Sequence, residues 1–195
     1  MPNWCINKLD ISGPKKDVKR FRAQACGPTQ SYNSFSSSGE AWPLHDDIRV
    51  NSLISHPPEP GDSVDFSFHA LYPVPVDFRC FPYDDQRAKE LGETVGQERP
   101  YGGYTWESRH WGCKWGGCDT QLISSGSGRL QYDFSTPWGP PIEFFENIAE
   151  DWPTLNFMLS YEEPGMGFRG ESHWEEGSLV FEHTEEYEED GFDEE

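Results

Sequence analysis

His110, Cys113, Cys118 and Asp119 fall in one short, glycine-rich stretch, and imidazole, thiolate and carboxylate are the groups zinc prefers. A closed structural site needs a second cysteine pair, and none stands near. The stretch Trp111–Asp119 therefore reads as a structural turn with no metal expected; His110, Cys113 and Cys118 are the alternative ligand set. A second chemistry uses other residues of the same turn. Trp111, Lys114, Trp115 and Asp119, with Trp138 downstream, have the types that line a polar–aromatic cleft for a small ligand. Hydrolysis has less support. His69, His110 and His173 are candidate bases, but no nucleophile elbow and no metal-ligand helix motif accompanies them. Gly126-Ser127-Gly128 lacks the Lys-Ser/Thr of a phosphate loop and reads as a hairpin turn. The sequence shows no catalytic constellation and no cofactor motif, so the expectation is a binding protein without a cofactor rather than an enzyme.

Charge narrows the partners. The formal net charge is −20 over 195 residues, a field that repels phosphate backbones. Trp4, Tyr132, Phe157 and Tyr161 are candidates for a base-stacking platform on a sheet, and Lys15, Lys16, Lys19, Arg20 and Arg22 form one basic cluster. The overall field opposes direct nucleic-acid binding, and the cluster reads as a solvated helix face. Carboxylates gather at the other end of the chain: Glu162, Glu163, Glu171, Glu175, Glu176, Glu182 and a tail over residues 184–195. Such a field steers association with a basic protein surface. Trp174, Glu175, Glu176, Tyr187 and Phe192 are the expected partner-binding residues, because rings set among carboxylates lie outside the expected core.

The elements that position these groups follow from periodicity. Asn3–Ile11 alternates as a strand, with Cys5, Asn7, Leu9 and Ile11 on one face and Trp4, Ile6 and Lys8 on the other. Lys15–Ala25 is a helix with Val18, Phe21, Arg22 and Ala25 at helical spacing. Val64–Leu71 alternates and predicts a second strand. Tyr83–Val95 is weakly helical, and Tyr101–Trp115 predicts a short helix running into the turn. Arg129–Ser135 is a strand with Leu130, Tyr132 and Phe134 inward. Pro141–Trp152 is a helix with a stripe of Ile142, Phe145, Ile148, Ala149 and Trp152. Leu155–Tyr161 is a strand, and Met166–Trp174 with Gly177–His183 is a hairpin.

Strand, helix, strand, strand, helix, strand is the split βαβ order. The expected class is α+β: a ferredoxin-like antiparallel sheet, two covering helices, long insertions between the second and third strands, and a C-terminal hairpin. The predicted organisation is one domain over residues 1–183, an insertion at about 29–63 and a disordered acidic tail over 184–195. Within the insertion, Trp42, Leu44, Ile48, Val50, Leu53 and Ile54 are expected to lie on the core, between a flexible Tyr32–Gly39 and a turn-rich Pro57–Asp62. Apolar residues are only 34% of the chain but aromatics are 15%, so the core must be built from rings. Five cysteines, an odd number, follow a start without a basic or apolar run; reduced thiols and the cytoplasm are expected. No apolar run is long enough to cross a bilayer as a helix.

Three segments resemble a known family. They are Met1-Pro2-Asn3-Trp4-Cys5-Ile6-Asn7 with Ile11-Ser12-Gly13, the turn Trp111-Gly112-Cys113-Lys114-Trp115, and Phe134-Ser135-Thr136-Pro137-Trp138-Gly139-Pro140-Pro141. Together they are similar to plasmid- and phage-encoded proteins with a YubB-type ferredoxin-like domain. The resemblance covers the outer thirds of the chain; Thr29–Ser63 and the acidic tail lie outside it. It implies an accessory protein of a mobile element and carries over no catalytic residues. The expected role is to bind and occlude a host protein with a basic surface, one that handles nucleic acid or defends the cell. The alternatives are a ligand-binding or enzymatic cleft at Trp111–Asp119, and a structural assembly component.

Overall fold

The computed structural model describes residues 2–32, 61–75, 78–80 and 103–187. Strand β1 (Trp4–Ser12) buries Cys5, Asn7, Leu9 and Ile11 and exposes Trp4, Ile6 and Lys8, as its alternation requires. Helix α1 (Lys15–Ala25) begins after Pro14 and buries Val18, Phe21 and Ala25. The short strands β2 (Gly27–Pro28) and β3 (Ser63–Val64) pair with each other. Helix α2 (Phe68–Leu71), a 3-10 turn (Phe78–Cys80) and helix α3 (Gly103–His110) follow. Then come β4 (Cys118–Gly126), β5 (Arg129–Pro137), helix α4 (Ile142–Asp151), β6 (Asn156–Glu163), β7 (Phe168–Glu175) and β8 (Ser178–Glu186).

The main sheet runs β4-β5-β1-β6-β7-β8, with every neighbouring pair antiparallel. Its first four strands have the ferredoxin-like order, and the β7–β8 hairpin extends one edge. The class is α+β. Helices α1 and α4 cover one face: Phe21 of α1 and Phe145 of α4 meet Phe157 of β6, at 5.5 and 6.1 Å between ring centres. Phe66 sits at the middle of the core, within 5.0–6.5 Å of Tyr132, Phe134, Phe21, Phe144 and Phe145. The other face of the sheet carries no helix among the described residues.

Four expectations need correction. The predicted strand Val64–Leu71 is a two-residue bridge, a bend and the helix α2. Phe66 and Phe68 are both buried, which produced the alternation, but the intervening Ser67 is buried as well. Its hydroxyl accepts the Ala70 N–H at 3.1 Å and caps the helix. The second strand of the split motif is instead β4, a poorly patterned edge strand whose inward face offers only the half-buried Leu122 to the core. The long connection therefore lies between α1 and β4, not between the second and third strands. The predicted tail begins inside β8, which runs to Glu186.

The fourth correction concerns Trp174. It is fully buried, 5.2 Å from Phe145, because β7 turns this face toward α4. It is a core residue and not a surface anchor. The stripe of α4 is also wider than expected, since Phe144 is buried beside Phe145. Trp42, Leu44, Ile48, Val50, Leu53, Ile54, the Tyr83–Val95 helix and Phe192 lie outside the described residues.

Trp174→Ala is expected to lower the unfolding free energy by about 3–5 kcal/mol, measured by chemical denaturation. Trp174→Phe should cost less, because it removes an indole N–H that has no hydrogen-bond partner. An alanine cost below about 1 kcal/mol would contradict this place in the core.

Candidate functional site

The Trp111–Asp119 turn is organised by a buried acid. Helix α3 ends at His110, and Trp111 is fully buried, its Nε1 donating to the Tyr72 carbonyl at 3.0 Å. Gly112 has φ +76°, and a Cβ there would come within 2.1 Å of Glu143 Oε2. Trp115 also has positive φ, 69°, a costly conformation for an indole-bearing residue. Glu107 holds it there: one carboxylate oxygen accepts the Trp115 N–H at 2.7 Å and the other accepts the Tyr32 hydroxyl at 2.6 Å. The Glu107 side chain is fully buried. Burial pushes its pKa up from the ordinary 4.5 to about 7, although the hydrogen bonds and the Lys114 charge pull the other way.

The thiols of the turn are held toward the neutral form. Burial raises the pKa of Cys113 well above its ordinary value, and burial followed by Asp119 raises that of Cys118, which disfavours thiolate. His110 stacks on Trp106 at 4.4 Å. Among the described residues no three His, Cys, Asp or Glu side chains converge on a metal-sized space. Of the residues expected to line a cleft, Trp115, Trp138 and Lys114 do meet: the indoles are 5.6 Å apart and Lys114 Nζ lies 5.9 Å from the Trp138 ring. Trp111 is behind them in the core, and Asp119 is exposed at the start of β4.

The segments that carried the family resemblance have a supporting role in the fold. Buried Asn7 donates to Thr136 Oγ1 at 2.8 Å and to the Cys5 carbonyl at 3.0 Å. Thr136 in turn donates to the Gly139 carbonyl at 2.7 Å, and the Trp138 N–H to the Asn3 carbonyl at 2.8 Å. These bonds tie the start of β1 to the turn before α4 and satisfy polar groups that burial would otherwise strand.

The aromatic platform does not form. Tyr132, Phe157 and Tyr161 are buried beneath the helices, and only Trp4 faces outward. The basic cluster on α1 is partly engaged: Arg20 lies 4.5 Å over the Trp152 ring and Arg22 donates to Ser125 at 2.9 Å.

The open face of the sheet holds a shallow groove of about 330 Å³, missed in the sequence. Ile6 and Lys8 of β1, Glu162 of β6, Arg169 and Glu171 of β7, and His183 and Glu185 of β8 line it. Strand alternation places these side chains together, so the signal was the polar half of each strand pattern. Arg169 donates to Glu185 at 2.6 Å and lies 5.5 Å over the Tyr187 ring. Tyr187 donates to Glu162 at 2.6 Å, and His173 makes a close contact with Glu171. Exposed apolar side chains, Ile6, Met158 and Phe181, lie on the same face. Of the expected partner-binding residues, Tyr187 joins the groove's polar network, and Glu175 and Glu176 are exposed at the β7–β8 turn.

Residues 110–195 match the family model described as the ferredoxin-like domain in Api92-like protein. That stretch holds β4 to β8, yet β1, which precedes it, lies between β5 and β6. The whole fold is similar to the crystal structure of a protein api92 from Yersinia pseudotuberculosis, with a TM-score of 0.61 and 13% identity over 98% of this chain and 100% of that one. At that identity the likeness shows the fold. No curated protein matches the chain. No helix among the described residues is long and apolar enough to cross a membrane.

Glu107 makes a pH prediction. Its folded pKa is above its unfolded one, so its contribution to stability is complete below about 4.5 and is lost as pH rises through about 7. Glu107→Gln should remove that loss and exceed the parent above neutrality, by about 3 kcal/mol at most. Parallel curves of unfolding free energy against pH for parent and variant would count against the buried acid.

Proposed function

We propose that the protein is a binding protein whose open sheet face receives and occludes the basic surface of a partner protein. The supporting observation is the grouping of exposed Ile6, Met158 and Phe181 with Glu162, Glu171 and Glu185 on a face that no helix covers among the described residues. Apolar chains supply affinity on desolvation, and a net charge of −20 steers a cationic partner and repels polyanions. The resemblance to plasmid- and phage-encoded proteins extends the reading. The partner is then a cytoplasmic host protein that handles nucleic acid or defends the cell, and occlusion blocks its basic surface.

The test removes charge without altering shape. The chain and a Glu162→Gln/Glu171→Gln/Glu185→Gln variant of equal melting temperature are used side by side to retain host proteins at rising ionic strength. Partners retained by the parent should be basic, should elute with salt, and should associate with the variant about tenfold more slowly. Equal association with both chains at every ionic strength would refute the reading.

A further inference from the structure

We propose that β8 is a receiving edge, at which an extended partner segment with lysine or arginine at alternate positions adds as a further strand. This rests on the binding role above and names the form of the partner. Among the described residues the sheet ends at β8, whose inner edge pairs with β7 and whose nine residues are all exposed. Pairing with β7 is regular from Phe181↔His173 to Glu186↔Phe168; the one register shift lies before it, between His173 and Trp174. Phe181–Glu186 thus offers a regular row of backbone donors and acceptors on its outer edge. Natural sheets block such an edge with proline, a bulge or charged side chains; this stretch has no proline and no bulge, and its charges are carboxylates, which repel an acidic strand and admit a cationic one. The opposite edge, β4, is broken by two register shifts and is less suited to pairing.

Charge selects the occupant. Glu182 and Glu186 flank Thr184 on one face of β8, and Thr184 is held by the Tyr161 hydroxyl at 2.6 Å. Phe181, His183 and Glu185 lie on the other face, beside the groove. A second copy of this edge would set carboxylate against carboxylate, which destabilises a strand pair. A strand alternating cationic and apolar side chains fits both faces, with cations beside Glu182 and Glu186 and apolar groups beside Phe181.

The probe is a short peptide of alternating lysine and valine, tested against the full chain. Its controls are the same peptide with glutamate for lysine, and two N-methylated forms that block the backbone N–H groups on either one edge or the other. Binding is read by fluorescence anisotropy, and pairing by amide hydrogen exchange at Phe181–Glu186. The lysine peptide is expected to bind at least about tenfold more tightly than the glutamate peptide and to slow exchange in β8. One methylated form should lose about tenfold or more in affinity. If both methylated forms bind like their parent and β8 exchange is unchanged, edge pairing is wrong while the basic-partner reading survives. If the lysine peptide binds no better than the glutamate peptide, or neither binds, the receiving edge is wrong, and the open-face reading stands or falls on the carboxylate variant above.

Discussion

Phe68 lies flat on Phe144, with ring centres 3.9 Å apart and an 8° angle between the planes. This stack joins helix α2, which lies within the long connection between α1 and β4, to α4, and Trp111 meets Phe68 edge-on at 5.7 Å. The sheet, α4 and the Trp111 turn therefore share one aromatic contact network. With only 34% apolar residues, the chain has few aliphatic side chains to spare. Large rings compensate, each removing roughly 150–250 Å² from water. Loss of any central ring removes contacts from several elements at once.

Polar chemistry is distributed on the two sides of that core in different ways. On the helix side it is buried, and two paired groups position the chain: Glu107 fixes the turn, and Asn7 with Thr136 fixes the start of β1. On the open side it is exposed and mixed with apolar groups, where pairs such as Arg169–Glu185 contribute little to stability. Such a face is cheap to rearrange when something docks on it. The buried set holds the scaffold rigid beneath it.

Much of the sheet was legible because its central strands obey alternation. β1, β5 and β6 bury every second residue under two helices, and α1 and α4 show helical spacing. β4 escaped notice because an edge strand with one half-buried inward apolar residue carries no such pattern. Val64–Leu71 misled because Phe66 reaches the core from a bend and Phe68 from a helix, so two inward rings imitated a strand. The turn at Trp111 was legible in composition, but its organiser was not: nothing near Glu107 in sequence announces Tyr32 as its partner. The groove was invisible for a related reason. Its residues come from four strands, and only register brings Lys8 opposite Ser160 and Glu171 opposite His183.

The position of β1 has a temporal consequence. It precedes every other described strand in the chain, yet its neighbours are β5 and β6, with Leu9 opposite both Tyr132 and Leu159. At roughly 5–20 residues per second, its first partner emerges on the order of ten seconds later. Until then an alternating strand with an apolar face waits unpaired, a state open to misassociation.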